Sequence, residues 1–303
     1  MTQAIDIFWS IMEFAVPLAL ALAYEARARK LAGEGRPVPV WRQVMFGAGL
    51  VVVCASLLGP IDDQADKLLW VHMIQHLLLA DVASLFIVLG CTGPLLQPLL
   101  TFRAGRPLRR LTHPVVAITL FTANLYVWHL PFLYQAVLTD TSLHVLEHLL
   151  FLGTGILLWM PLFGPLPKPQ WFGKAAHVIY TVGIWLPGMI LANAFMWSDT
   201  IFYPAYTKTA EAAGISPIGD QSTAGAILMG ECTMMALAIF AWVFLRWARE
   251  DIEKQDLLDL AIDNQYELTS ARAERAVAAG RGPELRARIE AGQGSQDGPP
   301  GLA

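Results

Sequence analysis

Apolar runs of about twenty residues recur along this chain, and they decide what it can fold into. A run of that length is what a helix needs to cross the hydrocarbon layer, about 30 Å thick at about 1.5 Å of rise per residue. Of the 303 residues, 55% are apolar and only 15% charged, whereas about a quarter of a water-soluble chain is charged. The mean hydropathy is +0.48. The spacing predicts seven spans, at about 5–24, 42–60, 68–90, 114–131, 143–163, 175–196 and 221–245. Gly59-Pro60, Gly93-Pro94, Pro131 and Gly164-Pro165 punctuate their ends, and Pro187 predicts a kink in the sixth. The expected fold is an all-α membrane protein. A bundle of about seven transmembrane helices fills residues 1–247, and a charged cytoplasmic tail, partly helical and partly disordered, fills 248–303.

The basic residues set an expected orientation. Arg27, Arg29, Lys30, Arg36 and Arg42 share one loop, Arg103, Arg106, Arg109 and Arg110 a second, Lys168 and Lys174 a third, and Arg246 ends the last span. The alternate segments hold only Lys67 and Lys208. By the positive-inside rule the N-terminus is expected outside and the C-terminus in the cytoplasm, in the cell (inner) membrane. The first basic residue, Arg27, follows the first apolar span, so that span is expected to stay as a helix rather than be cleaved as a signal. Cys54, Cys91 and Cys232 stand far apart with no CxxC pair, which argues against a disulfide scaffold or a thiol-based copper carrier.

From Ala248 the composition changes to seven basic and eleven acidic residues. Residues about 249–290 predict a charged helix broken near Gly280 and Gly282-Pro283, and 291–303 are rich in Gly and Pro, as disordered segments are.

Five of the seven histidines fall where three spans begin or end. Residues four apart share a helix face, so His72 and His76 point one way from the third span, and His144 and His148 do so from the fifth. His129 ends the fourth. The topology places all five at one depth on the extracytoplasmic side. A lone intramembrane histidine is ordinarily a hydrogen-bonded core residue, but five at one depth each carry a desolvation cost. Imidazole suits Cu, Zn, Fe and Ni, and thioether sulfur favours Cu(I), so Met73 and Met196 are noted, although a lone Met is ordinarily core. Metal binding by His72, His76, His129, His144 and His148 is the expectation, with copper as the expected metal. Glu147, Asp199 and Asp220 are candidate partners that orient ligand imidazoles. Glu13, Asp81, Asn124 and Glu231 lie deeper, either as a polar line leading inward or paired with one another. His113 and His177 read as interface residues.

The third and fifth spans also match one another. His72-Met-Ile-Gln-His76-Leu-Leu runs to Gly93-Pro94, and His144-Val-Leu-Glu-His148-Leu-Leu runs to Gly164-Pro165, with a one-residue slip. Either an internal parallel repeat or convergence explains this.

The blocks HMIQHLLL at 72–79, WHLPFLYQAVL at 128–138 and HVLEHLLFLGTGILLWMPLFGP at 144–165, with the segment from Tyr203 through Asp220-Gln221 to Gly225, resemble the multi-pass CtaG-type assembly factors of cytochrome c oxidase. The likeness covers about residues 5–247. One departure is Ala226-Ile227-Leu228-Met229, where members often have an aromatic residue. The resemblance implies a role in maturing the haem–copper oxidase, by delivering copper to it from the extracytoplasmic side, with oxidase subunits and membrane lipid as partners, no nucleic-acid partner and no catalysed reaction. Three alternatives stay open. His144-x-x-Glu147-His148 matches the HxxEH pattern of zinc proteases. Histidines on two helices could hold a haem b. The buried acids could serve a transporter.

Overall fold

The computed structural model describes residues 2–101 and 105–292, with side chains described for 11, 12, 15–101 and 108–292. Among them every regular element is helical. The order is α1 (Thr2–Gly33), α2 (Val40–Leu57), α3 (Pro60–Ala65), α4 (Leu69–Gly90), α5 (Gly93–Thr101), α6 (Gly105–Leu111), α7 (Pro114–Trp128), α8 (Pro131–Val137), α9 (Thr141–Phe163), α10 (Lys174–Trp197), α11 (Thr207–Ala212), α12 (Pro217–Asp263), α13 (Ser270–Ala278) and α14 (Gly282–Glu290).

Five helices, α2, α4, α9, α10 and α12, are long and apolar enough to cross a membrane, and the pair α7 with α8, bent by 78°, makes a sixth if it is one span. Seven were expected. The first expected span falls on α1, where the side chains of residues 2–10, 13 and 14, Glu13 among them, lie outside the described residues. The helices are apolar on their outer surfaces too: Val44 and Val51 on α2 and Ile179, Leu186 and Ile190 on α10 are exposed. Lipid, not water, suits such surfaces. The chain is a multi-pass membrane protein.

Local chemistry explains where the helices start and stop. Gly59 takes a φ of +70° and hands the chain to Pro60 at the start of α3. Pro114 opens α7, and Pro131 opens α8 directly after the break at His129-Leu130. Proline suits a first helical turn because its missing N–H has no partner to lose there. Asp140 caps α9, accepting from the backbone N–H groups of Ser142 (2.9 Å) and Leu143 (3.2 Å). Helix α10 runs unbroken through Pro187, whose carbonyl accepts from Tyr126 Oη at 3.0 Å.

The compact unit of residues 1–236 is built around α4 and α9. Helix α4 packs on α2 and α9, and α9 also packs on α7. Within α4, residues Leu78–Ala83 form a π turn, which takes in one residue more than an α turn. Helix α9 is α-helical from end to end, so this turn is one source of the slip between the two matching blocks. Gly155 of α9 rests on the π turn so closely that a Cβ would overlap the Ala80 carbonyl oxygen and lie 2.8 Å from Ser84 Oγ. The Ala80 carbonyl is in turn the acceptor of Ser84 Oγ. Phe46, Val53, Leu79, Ala83, Ile87 and Leu152 form the apolar core beside this contact.

In the second unit, residues 237–303, the charged helix expected over about 249–290 has one more break than the one expected near Gly280. Helix α12 continues to Asp263 and then stops; Gln265 turns back with a φ of +53°, and Thr269 caps α13 by accepting from Arg272 N at 3.3 Å. The expected break at Gly280 is present, with a φ of +68°. Leu257, Ala261, Val277, Leu285 and Ile289 make a small core, so this segment is folded rather than a plain solvated helix. The stretch expected to be disordered, 291–303, lies outside the described residues from 293 on.

Replacing Gly155 by Leu forces α9 off α4. We expect a loss of at least about 1–3 kcal/mol, read as a lowered thermal midpoint of the purified protein in detergent. An unchanged midpoint contradicts the close approach.

Candidate metal centre

The N-terminal ends of α4 and α9 and the C-terminal end of α7 meet at one end of the bundle, and the histidines sit there. His72 is the fourth residue of α4, His144 the fourth of α9, and His129 follows the last residue of α7. The helical period then carries His76 and His148 one turn further along the same faces. All five sequence-predicted histidines come together. Ring centroids are 4.3 Å apart for His72 and His76, 5.4 Å for His72 and His144, 4.3 Å for His144 and His148, 5.9 Å for His76 and His148, and 6.3 Å for His76 and His129. His72, His76, His129 and His148 are buried, and His144 is half-buried. His113 and His177 stand elsewhere, beside Trp171 and Phe172 respectively.

Glu147 is the anion of the cluster. It is fully buried, with Oε2 3.5 Å from His76 Nε2 and 3.8 Å from His72 Nε2. Those separations are too long for hydrogen bonds, and neither carboxylate oxygen has a hydrogen-bond partner. A buried carboxylate without such bonds is costly unless positive charge neutralises it. One donor atom each from His72, His144 and Glu147 lie within 4.8 Å of one another. Glu147 thus stands among the candidate ligands themselves, closer than the orienting position expected of it.

The hydrogen-bond partners fix which nitrogens carry protons. The Tyr206 hydroxyl donates to the Ala65 carbonyl at 3.1 Å, which uses its only hydrogen. Burial pushes the Tyr206 phenol well above its ordinary pKa, so that hydrogen stays in place. With that hydrogen on the Ala65 carbonyl, His72 Nδ1, 3.0 Å from the same hydroxyl oxygen, is the donor in that contact. The lone pair of neutral His72 is then on Nε2, which faces His76 Nε2 at 2.9 Å and the Glu147 carboxylate. That separation suits two imidazoles on one ion at bond lengths of about 2.0–2.1 Å. His129 is set the same way, its Nδ1 donating to the Leu125 carbonyl at 2.7 Å.

Asp220 and Gln221 hold the frame. Asp220, 1% exposed, accepts from Leu69 N and Trp70 N, both at 3.0 Å, and so caps the helix that bears His72 and His76. Its role is to seat α4 rather than to contact an imidazole. Gln221 accepts from Phe202 N at 2.9 Å and donates to the Thr200 carbonyl at 3.1 Å. Tyr203 Oη donates to the His129 carbonyl at 2.8 Å, and its ring stacks on Tyr134 with centroids 4.0 Å apart. Asp199 is exposed. Of the deeper groups, Asp81 is buried, Glu231 is half-buried, and Asn124 accepts from Trp128 Nε1 at 2.9 Å. Met196 is half-buried, its carbonyl 3.5 Å from Ser222 Oγ.

Fold and site together define a multi-pass helical membrane protein with a buried imidazole–carboxylate cluster at one end of its bundle. The chain belongs to the family described as cytochrome c oxidase caa3 assembly factor (Caa3_CtaG), whose model matches residues 20–250. An uncharacterized protein of Mycobacterium bovis and another of Mycobacterium tuberculosis are each 21% identical to it over 271 residues, covering 83% of this chain and 41% of theirs. The chain thus spans about two fifths of the length of these curated relatives. No solved structure matches.

Removing the cap should be felt directly. Asp220→Ala leaves two N–H groups of α4 without their acceptor and is expected to cost about 0.5–2 kcal/mol. Asp220→Asn, which keeps an oxygen acceptor, is expected to fall between that variant and the wild type in chemical denaturation. Equal midpoints for all three proteins contradict the capping role.

Proposed function

We propose that this chain matures the oxidase by binding copper in the histidine pocket and handing it to the haem–copper oxidase on the extracytoplasmic side. It acts as a carrier and catalyses no reaction; copper is its cargo. The observation that carries this reading is the convergence of His72, His76, His129, His144 and His148 around the buried Glu147 carboxylate, which has no hydrogen-bond partner. Imidazoles grouped around one buried carboxylate make a donor set suited to a soft or borderline cation. A pocket at the helix ends is also a short step from the surface, as exchange with a partner requires.

The distribution of charge supports the orientation. At the end of α4 opposite the histidines, Arg27 donates to the Pro94 carbonyl at 3.0 Å, and Arg42 to the carbonyls of Leu89 (3.0 Å) and Cys91 (2.6 Å). Lys168 donates to the Leu162 carbonyl at 3.0 Å at the corresponding end of α9. By the positive-inside rule that basic end faces the cytoplasm, and the pocket faces away from it.

The test is copper and zinc content of the purified protein, wild type against His72→Ala and His148→Ala, together with oxidase activity in a strain deleted for the gene and complemented by each variant. We expect copper in the wild type, a lowered copper content in both variants, and oxidase activity falling with it. Copper content unchanged by both substitutions overturns the site. Tyr206→Phe removes the group that sets the His72 tautomer and is expected to weaken copper binding about 10–100-fold without unfolding the protein. Unaltered affinity in that variant contradicts the tautomer assignment.

A further inference from the structure

Met73 follows His72 directly, so it points about 100° further round α4. That turn takes it away from α9 and toward α7, where its sulfur lies 3.4 Å from His129 Nε2. Both side chains are buried, Met73 2% and His129 7% exposed. His129 Nδ1 already donates to the Leu125 carbonyl, so in the neutral ring Nε2 carries a lone pair. A thioether sulfur is likewise an acceptor. Two acceptors thus face one another in a dry place with no hydrogen between them.

A cation resolves that arrangement. With metal bonds of about 2.0 Å to imidazole nitrogen and about 2.3 Å to sulfur, donors 3.4 Å apart subtend an angle close to tetrahedral at one ion. Thioether with imidazole is a soft donor pair and favours Cu(I). The nitrogen–oxygen group of His72, His144 and Glu147 is harder and accepts divalent ions. His76 stands between the two, its ring 6.3 Å from that of His129 and 4.3 Å from that of His72.

Resting on the copper-carrier reading, we infer that Met73 Sδ and His129 Nε2 form a distinct soft ligand pair that holds copper as Cu(I) beside the His72–His144–Glu147 group. The pocket is then two-part. The soft pair selects the oxidation state, and His76 links it to the second ligand group, so an ion can pass between them by ligand exchange.

The experiment loads full-length protein in detergent with Cu(I) under reducing conditions against a competing chromogenic chelator, and separately with Zn(II). The proteins are the wild type, Met73→Leu, and a His72→Ala/His144→Ala double variant. Leucine conserves the volume of Met73, and retained Zn(II) binding shows that this variant is folded. Met73→Leu is expected to lose at least tenfold in Cu(I) affinity, to lose the sulfur scatterer at about 2.3 Å from copper-edge X-ray absorption, and to keep Zn(II) binding. The double variant is expected to lose Zn(II) and keep the copper–sulfur signal. Unchanged Cu(I) affinity and an unchanged absorption spectrum in Met73→Leu overturn the soft pair while leaving copper binding by the histidines intact. A wild type that binds no copper at all removes the carrier reading as well.

Discussion

The structure depends on how ionisable groups are accommodated between apolar helices. Imidazoles and a carboxylate placed out of reach of water are stable only when they satisfy one another, the backbone, or an ion. His72 is met by Tyr206, His129 by the Leu125 carbonyl, and Glu147 by the two imidazoles near it. The close contact of Gly155 with the π turn of α4, one to two turns beyond the histidines, sets how near α4 and α9 stand and so how far apart the facing rings are.

The two helices that bear the histidine pairs are also polarised alike. Their N-terminal ends, where the backbone N–H groups concentrate positive charge, are capped by Asp220 and Asp140; their C-terminal ends are capped by Arg42 and Lys168. A bare helix N-terminus repels a cation. With a carboxylate on each, and Glu147 between them, the same end becomes compatible with one. The caps thus serve the proposed site as well as the helices.

Much of this was legible in the sequence because it is local and periodic. HxxxH at helical spacing near the start of two apolar runs is enough to put four imidazoles on facing surfaces, and Pro131 marks where His129 must sit. The partners were not legible, because they are remote: Asp220 reaches α4 across 151 residues and Tyr206 reaches His72 across 134. No period links such residues; only the packed fold does. Glu147 was visible as part of HxxEH, but its distance to the α4 imidazoles belongs to helix packing. The bend between α7 and α8 was read only as a span end, and the small core at Leu257 and Ile289 was hidden by the charges around it.

The most direct measurement is an anomalous difference map at the copper absorption edge, from crystals of the copper-loaded protein. The account expects density enclosed by His72, His76, His144 and Glu147, with any second site next to His129. Copper bound only at the protein surface, or rings of His72 and His144 turned away from one another toward lipid, contradicts it.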